Sequence, residues 1–381
     1  MRLAPVMGIT RVANVTGLDS IGVPVVMVCR PNSRSVAVAQ GKGLELPGAK
    51  ASGLMESIEG YHAETITLPL RYCSLEELQY SSRVVDISGL PALSTSAFHP
   101  NLKLLWCEGL DLLNDETVFV PYEVVHTDST WPQPAGTGCF VSSSNGLASG
   151  NHRLEAVSHG ICEVVERDAT TLWWLNDRAE QDSRSVDPET IDDQNCLDVL
   201  GKFHRAGLET VIWETTTDVG IASFFCAIFP SVEEPARQLP PAAGAGCHPS
   251  RGIALLRALT EAAQTRLTQI SGSRDDAGRE TYTAHRYDSA FDRLRDQSQA
   301  PRVRRFSQAP NWSSDSIDGD VDWELERLRS ASIKRVIAID LTKDIFQLPV
   351  VRVVVPGLEG HHDLPGFVPG PRARALIVKR A

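Results

Sequence analysis

The stretch SSSNGLASGNHRLEAVSHGICEVVERD, residues 142–168, decides the fold of this chain. It begins with small, mostly polar residues, and from Arg153 its apolar residues recur at helical spacing. One side of the predicted helix carries Glu155, His159, Glu163 and Glu166 at i, i+4, i+8 and i+11. The opposite side is apolar and consists of Leu154, Val157, Ile161, Val164 and Val165. The pattern therefore predicts an amphipathic helix from about Arg153 to Trp173.

Two further helices are predicted, each with a polar side and an apolar side. In the first, Ser52, Glu56 and Glu59 fall within about 60° of each other at about 100° per residue. Its apolar side consists of Leu54, Ile58 and Tyr61. The other helix, from about Arg251 to Ile270, has a polar side that consists of Arg257, Glu261, Gln264 and Thr268.

A charged helix face is most often simply solvated, and that interpretation stays open for each helix alone. Solvated faces usually combine Glu with Lys at i+4, whereas the stripe from Glu155 to Glu166 contains no lysine. Carboxylates at i+3 or i+4 repel each other by a few tenths of a kcal/mol per pair. Mg²⁺ prefers oxygen ligands and bridges carboxylates to nucleotide phosphates, so it would relieve this repulsion.

Two loops ahead of the acidic helices are suited to phosphate. Gly41-Lys42-Gly43 offers backbone N–H groups and one ammonium group, and residues 142–150 run directly into a helix N-terminus. Neither loop matches the P-loop or the Rossmann fingerprint, and glycine and serine are ordinary turn residues. Together with the two acidic helices, the loops indicate an unusual Mg-nucleotide site with the helices as its two walls.

Composition narrows the class of protein. The chain has 381 residues, 42% of them hydrophobic, which is enough for one large domain or two smaller ones. Its net charge of −11 argues against a general nucleic-acid binder. No signal peptide, membrane-spanning run or Cys-x-x-Cys pair is recognisable. We therefore expect a cytoplasmic protein with reduced thiols, and neither a zinc site nor a disulfide framework.

The rest of the pattern indicates a mixed α/β (α+β) fold with helices packed on mixed or antiparallel sheets. Strands are predicted at 23–29, 35–39, 118–120, 139–141, 209–213, 221–229, 336–340 and 350–355. Loops are predicted at 177–193 and 235–249, and residues 364–371 are predicted to be irregular. The charged stretch 271–316 is interpreted as a mobile loop or a short solvent-facing helix, and as a candidate lid. No linker divides the chain, so we expect a single domain over 1–381.

In combination the motifs are specific to a known family. Ser-x-x-x-Glu-x-x-Glu after Gly-Lys-Gly, then Ser-Asn-Gly-Leu-Ala-x-Gly-Asn-x-x-x-Glu-Ala and Glu-x-x-Glu-Arg-Asp, resembles the YcaO family. The third helix with Ser273-Arg-Asp-Asp276 also resembles it, so that the resemblance covers nearly the whole chain. It implies the YcaO-type fold, with the nucleotide between the helices and sheets. It also implies that ATP and Mg²⁺ are used to phosphorylate a peptide-backbone amide oxygen in a ribosomally synthesised peptide or protein.

The resemblance carries roles onto the matching residues. It implies Mg²⁺ ligands at Glu56, Glu59, Glu155, Glu163 and Glu166, and a catalytic group made of Glu163, Glu166 and Arg167. It implies nucleotide or phosphate contacts at Ser52, Asn151 and Arg167, with weaker assignments at Lys42, Arg257 and Gln264. Many members have an arginine directly after the second glutamate of the first motif, where this chain has Gly60. Taken alone, Arg167 is equally well interpreted as a surface partner of Glu163.

Histidines and cysteines are given no chemical role. We interpret His159 as a satisfied, half-buried residue, and we expect His361 and His362 to be exposed in their glycine-rich loop. No cysteine lies beside a recognisable base, so a cysteine nucleophile is unsupported.

The attacking nucleophile decides whether such an enzyme makes an azoline, a thioamide or an amidine. Azoline-forming members commonly end in Pro-x-Pro-x-Pro, whereas here Pro365, Pro369 and Pro371 precede a further polar and apolar tail. The resemblance begins almost at residue 1, so we expect a separate protein to deliver the substrate. Residues 21–26 and 348–359 are similar to members that work with a TfuA-type partner in backbone thioamidation.

We therefore expect a thioamide-forming enzyme that acts on a peptide or protein with a TfuA-like partner, and no nucleic-acid or membrane partner. Two alternatives stay open. One is an azoline-forming cyclodehydratase that relies on a separate precursor-binding protein. The other is an ATP-binding accessory subunit without chemistry of its own. A homodimer also stays open.

Overall fold

The computed structural model describes residues 3–231, 239–274, 289–363 and 366–379. The helices in these ranges are α1 Leu46–Glu64, α2 Leu75–Gln79, α3 Arg153–Trp174, α4 Arg178–Ser183, α5 Gln194–Arg205, α6 Arg251–Ser271, α7 Ser289–Ser298, α8 Ile317–Ser330 and α9 Pro371–Val378. The strands are β1 Arg11–Asn14, β2 Val25–Cys29, β3 Val38–Lys42, β4 Leu70–Ser74, β5 Lys103–Asp111, β6 Glu116–Pro121, β7 Leu147–Ser149, β8 Leu208–Glu214, β9 Ser223–Pro230, β10 Ala242–Cys247, β11 Ile337–Asp340 and β12 Val350–Val354. Within the described ranges, no helix is long and apolar enough to cross a membrane.

The chain forms two compact units, each assembled from separate segments. Unit 1 contains residues 1–32, 36–57 and 176–313, and unit 2 contains residues 33–35, 58–175 and 314–381. The prediction of a single domain over the whole chain stays a prediction.

Unit 1 contains two antiparallel sheets of three strands each. Their strand orders are β1-β2-β3 and β10-β9-β8. The second sheet packs against α6, and its glycines allow the close approach. A Cβ at Gly246 would lie 2.1 Å from the carbonyl oxygen of Ala254, and one at Gly244 would lie 2.4 Å from that of Ala258.

Unit 2 is built on an antiparallel six-stranded sheet of order β4-β5-β11-β12-β7, with β6 paired to β5. Helix α3 packs on β12 and β7, and a Cβ at Gly160 would lie 2.6 Å from Cγ2 of Val353. Helix α8 packs against α3, where Ser158 Oγ donates to Glu324 Oε1 at 2.7 Å. The predicted mixed α/β fold with antiparallel sheets is therefore confirmed.

Three local predictions were wrong. Residues 242–247, placed in a loop, form β10, because their alanines and glycines give no β-branched signal yet fit closely under α6. The predicted surface loop 177–193 contains α4, capped by Asp177, and carries the buried side chains of Val186 and Ile191. The predicted strand at 139–141 makes a single bridge, since the Glu123 carboxylate accepts the N–H groups of residues 138–140 instead of a strand partner.

The stretch predicted as a lid is partly packed. Residues 275–288, which include Asp275 and Asp276 of the quoted motif, lie outside the described residues. Beyond them, Phe306 is 1% exposed in the core of unit 1, and Arg304 pairs with the buried Glu214 at 2.7 Å. Residues 304–309 are therefore part of the folded unit. The tail residues 364 and 365 also lie outside the description, and α9 begins at Pro371, a residue type favoured at a first helical position.

Candidate functional site

In unit 1, the predicted phosphate-binding loop lies directly against α1. A Cβ at Gly41 would lie 2.1 Å from both the carbonyl oxygen of Ala49 and the backbone nitrogen of Gly53, so only glycine permits this approach. The backbone N–H of Lys42 donates to Ser52 Oγ at 3.4 Å. The structure thus brings together Lys42 and Ser52, two of the residues predicted to contact nucleotide.

The Lys42 ammonium lies among carboxylates. Its Nζ is 2.5 Å from Glu261 Oε2 on α6. Surrounding protein atoms desolvate the Glu56 carboxyl and raise its pKa to about 7, against the opposing effects of the Lys42 charge, a backbone hydrogen bond from Gln40 and the Arg274 charge. The Glu56 residue as a whole is nevertheless exposed to solvent. Its carboxylate is poised between its neutral and charged forms.

Helix α6 presents Arg257 and Gln264 on the same face as Glu261. The three residues are at i, i+4 and i+7, so they share one side of the helix. All three are half-buried. Glu261 was placed on this polar side by the sequence but was given no site role. Its spacing from Arg257 and Gln264 was the available signal.

In unit 2, the start of α3 holds Glu155 in a fixed orientation. The Asn151 backbone N–H donates to Glu155 Oε2 at 2.8 Å, and Asn151 Nδ2 lies 3.2 Å and 3.3 Å from the two carboxylate oxygens. His152 is the N-cap, and its Nδ1 accepts from the Leu154 N–H at 3.2 Å. The carboxylate at this helix N-terminus is also favoured by the helix dipole.

The second glutamate of α1 is held in a similar way. Glu59 Oε1 accepts from Ser149 Oγ, at the end of β7, at 2.5 Å. Sequence reasoning placed Ser149 only in a phosphate-binding loop and missed its contact with Glu59. The two residues are far apart in sequence, so no local pattern could have paired them.

Further along α3, the remaining catalytic candidates lie in two adjacent turns. Glu166 is 3% exposed, and its Oε1 lies 3.4 Å from Arg167 Nη1. Glu163 is half-buried and interacts electrostatically with the buried Arg352 of β12. Arg167 thus has Glu166, the residue beside it in the chain, as an ion-pair partner. The alternative of a surface pair with Glu163 stays open.

The histidines and cysteines agree with most expectations. His361 is half-buried, so the expectation of an exposed His361 was wrong. His362 is half-buried as well and stacks on Trp174 with ring centroids 5.6 Å apart. Burial lowers its pKa, so the expectation of an exposed His362 was wrong. All eight cysteines are free thiols, as predicted. His159 is half-buried.

The donor set fits Mg²⁺ and a nucleotide. Across the described ranges, no three Asp, Glu, His or Cys side chains converge as a ready-made metal site. Mg²⁺ does not require such a cage, because it usually takes one or two carboxylates and completes its octahedron with waters and phosphate oxygens. In unit 2, Glu155 and Glu59 are carboxylates that a neutral donor orients, and their chemistry fits such a role.

Comparison with known proteins gives the family. The model described as YcaO cyclodehydratase, ATP- and Mg²⁺-binding, matches residues 40–359. An uncharacterised protein in the tfuA 3′ region of Rhizobium leguminosarum bv. trifolii is 35% identical over 357 residues, which are 92% of this chain and 84% of that protein. An uncharacterised protein of Methanothermobacter thermautotrophicus is 35% identical over 364 residues, 93% of this chain and 90% of the relative. This chain belongs to the YcaO family.

Solved structures agree on the fold. YcaO from Methanopyrus kandleri bound with AMPPCP and Mg²⁺ has a TM-score of 0.72 at 22% identity, over 94% of this chain and 88% of that one. A heterocyclase in complex with substrate and cofactor has a TM-score of 0.75 at 20% identity, over 92% of this chain. This chain spans 50% of that heterocyclase's length. The expected YcaO-type fold is confirmed, and ATP and Mg²⁺ are the cofactors by which the family is described.

Proposed function

We propose that this protein is an ATP- and Mg²⁺-dependent enzyme that activates a peptide-backbone amide and converts it to a thioamide with a TfuA-type partner. The observation that carries the nucleotide part is the pair of oriented carboxylates, Glu155 held by Asn151 and Glu59 held by Ser149. The relative in the tfuA 3′ region supports the thioamide and the partner.

The proposed reaction balances without an oxidant or reductant. A hydrosulfide nucleophile adds to the amide carbon, and the carbonyl oxygen that gains the negative charge attacks the γ-phosphorus of ATP. ADP leaves, and the C–O bond then breaks to release phosphate while the sulfur gives up its proton to solvent, which leaves a C=S bond. Such phosphoryl transfer depends on positioning and charge stabilisation more than on a protein nucleophile.

The residues of the chain have distinct parts in this proposal. Lys42, Ser52, Asn151, Arg257 and Gln264 bind the nucleotide and its phosphates. Arg167 stabilises charge on the transferred phosphoryl group, with Glu166 orienting it from 3.4 Å. Glu56, Glu59, Glu155, Glu163 and Glu166 are the proposed ligands of Mg²⁺ or of its waters. Mg²⁺, when bound, neutralises phosphate charge and aligns the reacting oxygens.

A second candidate is azoline formation with a separate precursor-binding protein, which the family's description as a cyclodehydratase favours. The chemistry differs only in the nucleophile, because a Cys, Ser or Thr side chain of the substrate replaces hydrosulfide. The third candidate, a non-catalytic ATP-binding subunit, predicts nucleotide binding without turnover.

One experiment separates the three. The protein is incubated with ATP, Mg²⁺, sulfide, the candidate partner and peptide, and both intact peptide mass and phosphate release are measured. Exchange of one oxygen for sulfur identifies a thioamide, and loss of one water identifies an azoline. AMPPCP in place of ATP is the matched control. ATP binding with neither a mass change nor peptide-dependent phosphate release would refute the enzyme proposals and leave the accessory subunit.

A further inference from the structure

A buried arginine lies in the middle of the valine-rich strand β12. Arg352 is 3% exposed, and both of its neighbours in the strand, Val351 and Val353, are buried as well. Removing a guanidinium from water costs several kcal/mol in real proteins, and well-packed apolar residues of similar volume are often more stabilising. The position therefore suits methionine or leucine better than arginine, unless the charge serves the site.

The contacts of Arg352 lead to the proposed site. The Nη2 of Arg352 donates to the carbonyl oxygen of Ser143 at 2.6 Å. The negative charge of Glu163 stabilises the charged guanidinium and so opposes the effect of burial on the pKa of Arg352. Burial lowers its pKa to about 10, so the guanidinium stays charged at neutral pH. Its Nε and Nη1 are buried and have no hydrogen-bond partner among the described residues. Arg352 thus keeps a charge that its own surroundings solvate poorly.

The same part of β12 holds the loop that leads into α3. Leu147 is the direct cross-strand partner of Arg352. The Val353 N–H donates to the carbonyl oxygen of Gly146 at 2.7 Å. Gly146 has φ +80°, and a Cβ there would lie 2.2 Å from the Val353 carbonyl oxygen, so the loop passes very close to the strand. With the bond to Ser143, the loop is attached to β12 at three nearby points.

We propose that Arg352 is a positioning residue of the nucleotide site, which fixes the loop at residues 142–150 and provides the buried counter-charge for Glu163. It acts through these groups and does not touch the reacting atoms. As far as nucleotide binding is concerned, the inference rests on the proposed function. The effect of Arg352 on the loop does not depend on the proposed function, and it can be measured without any ligand.

The test compares three variants of the full-length protein. R352M removes the charge and keeps the volume, and R352K keeps the charge but loses the planar fork of donors. R335M is the matched control, because Arg335 is also an ion-paired arginine of unit 2, bonded to the fully buried Asp111 at 2.7 Å and away from the loop. The readouts are Mg²⁺-dependent binding of AMPPCP, amide hydrogen exchange over residues 143–150, and the melting temperature.

For R352M we expect AMPPCP affinity in Mg²⁺ to fall about 10- to 100-fold, as for other groups that orient metal ligands. We also expect faster exchange in the loop, and a melting temperature that is unchanged or raised. R352K should recover part of the affinity. R335M should melt at a lower temperature, because Asp111 is left buried without its cation, and should bind AMPPCP like the wild type.

Two results would overturn the inference. One is wild-type loop exchange in R352M, which contradicts the role of Arg352 in holding the loop. The other is a lower melting temperature in R352M with an equal loss of AMPPCP affinity in R335M, which indicates a general structural effect. If the wild type itself fails to bind AMPPCP with Mg²⁺, the proposed function fails, and the exchange data still decide whether Arg352 holds the loop.

Discussion

Glu56 and Glu261 of unit 1 are held by different means from Glu155 and Glu59 of unit 2. In unit 1, the carboxylates lie beside a protein cation, since Lys42 Nζ is 2.5 Å from Glu261 and its charge also acts on Glu56. In unit 2, neutral groups orient two carboxylates, with Asn151 bonded to Glu155 and Ser149 bonded to Glu59, whereas Glu163 and Glu166 lie near arginines. A neutral donor orients a carboxylate without placing a protein cation beside it. We therefore expect unit 2 residues to govern Mg²⁺ dependence and Lys42 to govern nucleotide affinity.

The largest effect is expected at Glu163. Glu163→Gln should lower ATP turnover by about 100-fold or more, because a metal ligand supplies several kcal/mol of charge stabilisation in such a reaction. The variant should stay folded, because the packing of α3 is intact, but it should melt at a lower temperature, because the buried Arg352 loses its counter-charge. Phosphate release in the complete reaction measures the first effect, and thermal unfolding measures the second.

Glu326→Gln is the control for Glu163→Gln. Glu326 lies on α8 in the same unit, its side chain is 58% exposed, and it forms a surface ion pair of small energetic value with Arg329. Turnover should be unchanged in this variant. Wild-type turnover in Glu163→Gln would remove Glu163 from the site.

Lys42 tests the unit 1 side of the comparison. Lys42→Met should raise the KM for ATP about tenfold, which corresponds to loss of about 1.4 kcal/mol of phosphate attraction. Glu261→Gln should leave the KM for ATP unchanged or lower it, because this change releases the Lys42 ammonium from its 2.5 Å ion pair. The Mg²⁺ concentration for half-maximal rate should change little in either variant. A large shift in that concentration in Lys42→Met would contradict the division of roles.

Asn151 tests the unit 2 side with a smaller effect. Asn151→Ala removes the side-chain bonds to Glu155 at 3.2 Å and 3.3 Å but keeps the backbone bond at 2.8 Å. One such hydrogen bond is worth about 0.5–1.5 kcal/mol, so the Mg²⁺ concentration for half-maximal rate should rise about 2- to 10-fold. The control is Asn114→Ala, which removes a bond to Asp111 elsewhere in unit 2. This variant should leave the Mg²⁺ concentration for half-maximal rate unchanged. Equal Mg²⁺ dependence in both variants would show that Glu155 does not need this orientation.

The sequence predicted the helices of the site well, because helical periodicity is a local property. The stripe from Glu155 to Glu166 and the limits of α3 follow from spacing alone, and the structure extends the predicted helix by one residue, to Trp174. The predicted strands at 118–120 and 209–213 also lie within β6 and β8. Where a pattern repeats within a few residues, the sequence is sufficient.

Contacts between distant segments were not predictable in the same way. The bond from Ser149 to Glu59 and the ion pair of Lys42 with Glu261 join residues that only the tertiary fold brings together. The run 350–355 was predicted as a strand, but nothing in it indicates what the Arg352 guanidinium contacts. Strand β10 was missed because close packing under α6 selects glycine and alanine, which carry no strand signal.

Glu324 of unit 2 differs from Glu155 and Glu59, because neutral donors hold its carboxyl and the residue is also fully buried. Glu324 Oε1 accepts from Ser158 Oγ at 2.7 Å and from Cys162 Sγ at 3.5 Å, and the residue is 0% exposed. Desolvation raises its pKa from 4.5 to about 8, with the hydrogen bonds opposing the shift. Two neutral donors thus do not offset the cost of full burial, and the Glu324 carboxyl is protonated at neutral pH.

The stability of the protein should therefore depend on pH through Glu324. Above pH 4.5 the unfolded chain releases this proton, whereas the folded chain keeps it until the pH reaches about 8. The unfolded state then binds fewer protons, so the free energy of unfolding falls as the pH rises through this window. Glu324→Gln carries no proton to release, so its melting temperature should fall less between about pH 5 and about pH 8 than that of the wild type. Parallel melting curves for the two proteins would mean that Glu324 is ionised in the folded state and that neutral donors alone are enough to hold a buried charge on α8.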